Sequence, residues 1–232
     1  MIVGVIGSGS MGSGIAQVAS QAGHDVFLND SNPDALERAA KGHAKIFARL
    51  VEKGRMAEEE AHSCAKRITY TQRIEDLESC GLVIEAVIED LDIKQGLFQE
   101  LEMVCSEETV LATNTSTLAV VGIASKLKDP SRVIGLHFFN PAPLMALVEV
   151  VPSMLTRHGL ADEMKDLMKA WGKVSVITKD TPGFIVNRVA RPFYGESIRM
   201  LEEGIADVAT IDWALKEIAG FRMGPFELMD LI

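Results

Sequence analysis

The chain has 232 residues, 47% of them hydrophobic, and a formal charge of −10 from 23 Lys and Arg against 33 Asp and Glu. Such a length buries a substantial core in one large domain or two unequal ones, and the acidic balance argues against a general affinity for nucleic acid or anionic membranes. No apolar run approaches the roughly 20 residues needed to span a bilayer, while Cys64, Cys80 and Cys105 lie too far apart for a CxxC pair, which fits a reducing, cytoplasmic setting without a metal site.

Short apolar runs alternate with stretches of helical periodicity, the pattern of repeated βα units. Met1 leads directly into an apolar strand at Ile2–Ile6, with no room for a signal leader. Further strands are expected at Val26–Asn29, Ile68–Thr71, Leu82–Ala86, Val110–Thr113, Val133–Leu136, Leu147–Val151 and Val174–Thr178. Helices are expected near Met11–Ala22, Pro33–Lys53, Ala57–Lys66, Leu91–Val104, Thr117–Lys126 and Ala161–Trp171. Together they predict an α/β fold, a Rossmann-type doubly wound and mostly parallel sheet, over residues 1–182. Thr181-Pro182-Gly183 interrupts the alternation, and residues 183–232 read as the start of an all-helical domain: Phe184 to Glu203, Val208 to Ala219, then a new start at Pro225. The final residues stay apolar and helix-like without a stop signal, so a truncated C-terminal domain is expected.

Gly7-Ser8-Gly9-Ser10-Met11-Gly12 fits GxGxxG, follows the first strand and opens a helix, the context that turns a weak motif into a dinucleotide-binding fingerprint. Gly7 allows the tight turn, Gly9 the approach of a pyrophosphate, and Gly12 the close packing of helix on strand, with the helix N-terminus offering free N–H groups. Asp30 lies 18 residues after Gly12, at the end of the second strand. A carboxylate there accepts bonds from the ribose hydroxyls and repels a 2′-phosphate, which selects NAD over NADP. The competing role, capping the next helix, could fall to Ser31 or Asn32. On that helix Arg38, Lys41, Lys45, Arg49 and Lys53 recur every three or four residues, a cationic stripe suited to phosphate groups or simply to solvent.

Ligands of doubly wound sheets gather at the carboxyl ends of the strands, where this sequence places Glu85 to Glu89, Asn114 to Thr117, and His137 to Pro141. His137 alone among the histidines ends an apolar strand on that side; His24, His43, His62 and His158 fall in expected turns or on helix surfaces. Glu149 sits inside the apolar run Leu147–Val151, where a carboxylate needs a partner. His137 is the natural one, whether as a satisfied structural histidine or as a group that exchanges a proton near neutral pH, as alcohol oxidation by hydride transfer requires.

The glycine loop, Glu85 to Lys94, Asn114-Thr115-Ser116, Gly135 to Pro141, Asp180 to Arg188, and Met223 to Leu228 closely resemble the 3-hydroxyacyl-CoA dehydrogenases, along the whole chain, and most of all those acting on 3-hydroxybutyryl-CoA or 3-hydroxyadipyl-CoA. The resemblance implies an NAD-dependent oxidation of a 3-hydroxyacyl-CoA to the 3-oxoacyl-CoA. It makes His137 the acid/base, Glu149 its orienting partner, and Ser116 and Asn187 the polar pair around the substrate oxygen. Glu89, Lys94 and Asn140 match further cofactor-side positions, as do Ser116 and the loop residues Ser8, Ser10 and Met11; Lys94 and Lys53 match contacts to coenzyme A. Glu89 and Lys94 could equally form a surface pair, Ser116 a helix cap and Asn187 a solvated helix residue. A homodimer through the helical domain is implied as well. Two alternatives remain at this level: a non-catalytic NAD-binding or structural relative, like those of eye lenses, and a 3-hydroxy-acid dehydrogenase that uses lysine as its base.

Overall fold

The computed structural model describes residues 1–231, and the first of its two units, Met1–Phe184, is organised by one eight-stranded sheet. The elements follow in chain order: β1 (Ile2–Ile6), α1 (Ser10–Gln21), β2 (Asp25–Asn29), α2 (Pro33–Glu52), α3 (Glu58–Lys66), β3 (Ile68–Thr71), β4 (Leu82–Glu85), α4 (Leu91–Val104), β5 (Val110–Thr113), α5 (Val120–Ala124), β6 (Val133–Phe138), β7 (Leu147–Pro152), α6 (Leu160–Ala170) and β8 (Val174–Ile177). The strand order is β3-β2-β1-β4-β5-β6-β7-β8. Strands β1 to β6 are parallel, β7 runs antiparallel to β6, and β8 is parallel to β7.

Alternation along each strand feeds two cores. Val3, Val5, Val26, Leu28, Leu82, Ile84, Ile134 and Leu136 pack beneath α1, α2, α3 and α6. Ile6, Val83, Leu111, Val133 and Val151 pack on the other face with Phe98 and Leu101 of α4 and Val120 and Ile123 of α5. Because both faces are covered, the strands read as continuous apolar runs, which is why they were visible in the sequence.

Three expectations change. The helix expected over Thr117–Lys126 contracts to Val120–Ala124, because Thr115–Thr117 form a turn held by the Glu89 carboxylate. The helix expected over Val208–Ala219 is α-helical only to Trp213 and continues as a π turn over Ala214–Ile218. His43, expected on a helix surface, is buried. It shares a helix face with Leu36, Ala39 and Phe47, the other buried residues of α2.

The second unit, Ile185–Ile232, contains α7 (Val186–Glu202, with Pro192 inside it), α8 (Val208–Trp213) and α9 (Pro225–Leu231). The Asp212 carboxylate accepts the N–H groups of Phe226 and Glu227 at 2.9 and 3.1 Å, capping the first turn of α9, and the Phe193 and Phe221 rings pack at 4.9 Å. Among the described residues no helix is long and apolar enough to cross a membrane.

His43 joins three elements: its Nε2 meets the Ser13 carbonyl at 2.9 Å and its Nδ1 the Tyr70 hydroxyl at 2.8 Å. A carbonyl only accepts, so Nε2 carries the hydrogen and Nδ1 accepts from Tyr70. Burial holds His43 below the ordinary imidazole range. As pH falls through about 6.5, the unfolded chain therefore takes up the proton first and stability drops. Urea unfolding at pH 7.5 and pH 5.5 should reveal a larger loss in the native chain than in His43→Gln; equal losses would contradict this linkage.

Candidate active site

The turn from β1 into α1 is shaped by two glycines. Gly7 has φ +93°, and a Cβ on Gly12 would overlap the Gly7 carbonyl oxygen, so helix and strand approach as closely as they do only without side chains. Gly9 precedes α1 without a side-chain cap, and a Cβ there would meet nothing within 4 Å. The uncapped start of α1 thus leaves room for an anion to approach beside Gly9. Ser8, Ser10 and Met11 complete this loop, Ser8 buried and Ser10 exposed.

Asp30 Oδ2 accepts the Ser8 N–H at 2.7 Å and the Ser8 hydroxyl at 2.8 Å, and its Oδ1 accepts the Asn32 N–H at 2.9 Å. Partial burial opposes ionisation, but these donors outweigh it and hold the carboxyl below its ordinary value. The capping alternative fails, since Asn32 caps α2 through the N–H groups of Asp34 and Ala35. Beside Asp30 a cavity of about 790 Å³ is walled by Gly7, Gly9, Ala86, Val87, Ile88 and Ile93. An apolar wall, a carboxylate and an uncapped helix N-terminus together fit adenosine and pyrophosphate.

At the end of β6, His137 stands directly opposite Glu149 of β7 in the antiparallel register. Its Nδ1 lies 2.7 Å from Glu149 Oε2, with the carboxylate fully buried. The rings of Phe139 and Phe184 pack against the imidazole at 4.5 and 5.6 Å. Phe184, itself buried, has φ +45°, a conformation rare for a bulky residue. The strand end is held by Asn114, whose Oδ1 accepts the Phe138 N–H at 2.8 Å.

Ser116 lies half-buried in the turn after β5, and it is not a helix cap: Asp180 fills that role for α5, accepting the N–H groups of Val120 and Val121 at 2.7 Å each. Asn187 occupies the first turn of α7, in the second unit. Asn140 accepts from the Ser10 hydroxyl at 3.2 Å, so the β6–β7 loop meets the glycine loop. Lys173 anchors that loop from beneath, its ammonium bonding the carbonyls of Ala142 and Met145 at 2.5 and 2.9 Å, and burial depresses its pKa.

Lys94 departs from two of the roles expected of it. It is neither a surface residue nor open to coenzyme A, being 1% exposed with its ammonium bound to Glu85 and 3.4 Å from Glu89. The cationic stripe also divides. A cavity of about 740 Å³ between the Ser8–Gly14 segment, α2 and Pro141–Leu144 is lined by Arg38, Arg49, Lys53 and, unforeseen, Arg55. Lys41 instead pairs with Glu37 at 2.5 Å on the surface, and Lys45 lies outside the cavity wall. At about 100° per residue, Lys41 sits roughly 120° around the helix from the middle of the wall. Asp180, Lys173 and Phe184 were not singled out by sequence reasoning, since their partners are remote in the chain.

The strand order, glycine loop and ribose-side carboxylate define a Rossmann-type NAD-binding domain. Residues 2–181 match the family model for the 3-hydroxyacyl-CoA dehydrogenase NAD-binding domain, and residues 183–232 that for the 3-hydroxyacyl-CoA dehydrogenase C-terminal domain. The chain belongs to the 3-hydroxyacyl-CoA dehydrogenase family. It is 49% identical to a 3-hydroxyadipyl-CoA dehydrogenase of Escherichia coli, over 99% of this chain and 48% of that protein. It is 41% identical to a 3-hydroxybutyryl-CoA dehydrogenase of Clostridioides difficile, over all of this chain and 83% of that protein. The crystal structure of a 3-hydroxybutyryl-CoA dehydrogenase from Escherichia coli superposes with a TM-score of 0.97 at 47% identity, over all of this chain and 49% of that one. The chain thus spans about half the length of these two Escherichia coli relatives.

Proposed function

We propose that this chain interconverts a 3-hydroxyacyl-CoA and the corresponding 3-oxoacyl-CoA with NAD. The observation that carries the reading is the buried His137–Glu149 pair at the carboxyl end of β6. In the oxidative direction His137 Nε2 takes the proton of the 3-hydroxyl. Glu149 receives the Nδ1–H, fixing the tautomer and stabilising the imidazolium that forms. Ser116 hydrogen-bonds the same oxygen as it passes from alcohol to carbonyl. NAD supplies the hydride acceptor; Gly7 to Gly12 and Asp30 hold it. The reverse reaction returns the proton from His137.

The arginine- and lysine-lined cavity gives the phosphates of coenzyme A a local attractor on a chain of charge −10. Its position beside the glycine loop supports the acyl-CoA assignment. In this reading residues 1–182 are the NAD-binding domain, and residues 183–232 belong to the helical substrate and dimerisation domain of a cytoplasmic homodimer. The exposed Val189, Ile205, Trp213, Ile218 and Phe221 of the second unit support the dimer, since apolar side chains in such number mark association surfaces.

Three measurements bear on this reading. His137→Gln should lower kcat about 10²- to 10⁴-fold while NAD still binds by calorimetry, and retained turnover would eliminate the acid/base assignment. Replacing Arg38, Arg49, Lys53 and Arg55 with Gln should raise KM for 3-hydroxybutyryl-CoA by about tenfold or more and spare NAD affinity, each surface phosphate contact contributing about 1 kcal/mol; an unchanged KM places coenzyme A elsewhere. Sedimentation equilibrium should give a dimer, and a monomer at all concentrations refutes that part.

A further inference from the structure

The loop that returns the chain from β6 to β7 is held on three sides. At its start the Ser10 hydroxyl donates to Asn140 at 3.2 Å. On the α1 side it rests on Gly14, where a Cβ would come within 3.1 Å of both Ala142 Cβ and Pro143 Cδ. The loop therefore lies closer to α1 than a side chain at that position would allow. From beneath, the Lys173 ammonium donates to the carbonyls of Ala142 and Met145 at 2.5 and 2.9 Å. The next residue, Val174, donates its N–H to the Ala146 carbonyl at 2.9 Å.

Lys173 is a costly anchor. It is 8% exposed, burial lowers its pKa, and among the described residues no carboxylate offsets that effect. A charge is expensive to bury without a paired one, and the loop closes locally without it, because the N–H groups of Leu144 and Met145 both bond the Pro141 carbonyl at 3.0 Å. What the ammonium adds is a tie between the loop and the start of β8. The opposite side of the loop is where that tie matters. Ala142 is buried in the core, whereas Pro141, Pro143 and Leu144 line the cavity whose other wall carries Arg38, Arg49 and Lys53. Lys173 is itself outside that wall, so any influence it has on a ligand there passes through the loop.

We propose that Lys173 is a positioning residue for the acyl-CoA: together with Gly14 it clamps residues 141–144 at a set distance from α2 and so fixes the width of the cavity. The inference rests on the assignment of that cavity to coenzyme A above. It adds a determinant of acyl-CoA affinity that carries none of the phosphate contacts.

The test uses the full chain with Lys173→Met, with Gly14→Ala, and with Arg38, Arg49, Lys53 and Arg55 replaced by Gln. Methionine keeps an unbranched stem without the donors, and alanine is a better helix former than glycine. In Lys173→Met, amide exchange at Leu144 and Met145 should quicken about tenfold or more. KM for 3-hydroxybutyryl-CoA should rise about three- to tenfold while kcat and KM for NAD change less than about twofold, the signature of lost uniform binding. Gly14→Ala, whose methyl forces Ala142 and Pro143 aside, should raise the same KM and spare the same constants, and it decides alone if Lys173→Met does not fold. A purely structural anchor would lower Tm and leave KM for the acyl-CoA as it is; that result overturns the proposal, as does a loss expressed in kcat or in KM for NAD. If this KM rises in the cation-depleted variant but in neither of the others, the clamp fails and the coenzyme A reading stands. An unchanged KM in all three removes the reading and the inference with it.

Discussion

The antiparallel pairing of β6 with β7 is the constraint on which the site depends. Six strands of the sheet run one way, and a seventh in the same direction would need a crossover and would carry its residues toward the ligand edge from below. Instead the chain turns back through residues 139–146, so that Glu149, early in β7, faces His137, late in β6. Register is absolute here. A slip of one residue would turn Glu149 onto the opposite face, among Val148 and Val150 under α6. Lys173 and Asn114 matter in this light: one fastens the returning loop and the other the end of β6, so the pairing is fixed from both sides.

Burying ionisable groups this way costs several kcal/mol per ion before the partner is counted, and stranding one member of such a pair costs about 3–5 kcal/mol. The first unit makes that arrangement twice, with Glu149 against His137 and with Glu85 against Lys94. Apolar side chains of equal volume would serve stability as well or better. Both clusters lie at carboxyl ends of strands, where the doubly wound sheet opens its crevice. Their place at the crevice, not stability, is what distinguishes them from the apolar core around them.

The fold was legible because its strands are short apolar runs buried on both faces and its helices carry plain periodicity. The glycine loop, Asp30, His137 and Glu149 were legible because each is chemically out of place in such a run or sits at a strand end. What escaped depended on partners distant in the chain. Asp180 claims the N-terminus of α5 from 60 residues away, and Glu89 claims the preceding turn from 28; no local propensity records either, so that helix was drawn too long. Lys94 read as a cofactor or coenzyme A contact or as half of a surface pair, and its burial against Glu85 escaped because nothing local announces that partner. His43 was misplaced by residue type, although its spacing from Leu36, Ala39 and Phe47 marked the apolar face of α2.

That helix also explains how an acidic chain can address an anionic ligand. One side of α2 is spent on the core through Leu36, Ala39, His43 and Phe47, while an adjoining strip turns Arg38, Arg49 and Lys53 to the cavity. Charges separated by more than about 8 Å of physiological saline are largely screened from one another. The distributed negative charge of the chain is therefore felt weakly inside the cavity, and the cations on its wall are felt strongly. Lys41, well around the helix from that strip, is spent on Glu37 and adds nothing there. On the proposed reading, local geometry on a single helix, rather than net charge, sets where a phosphate-bearing ligand is attracted, against the same glycine loop proposed to hold the cofactor.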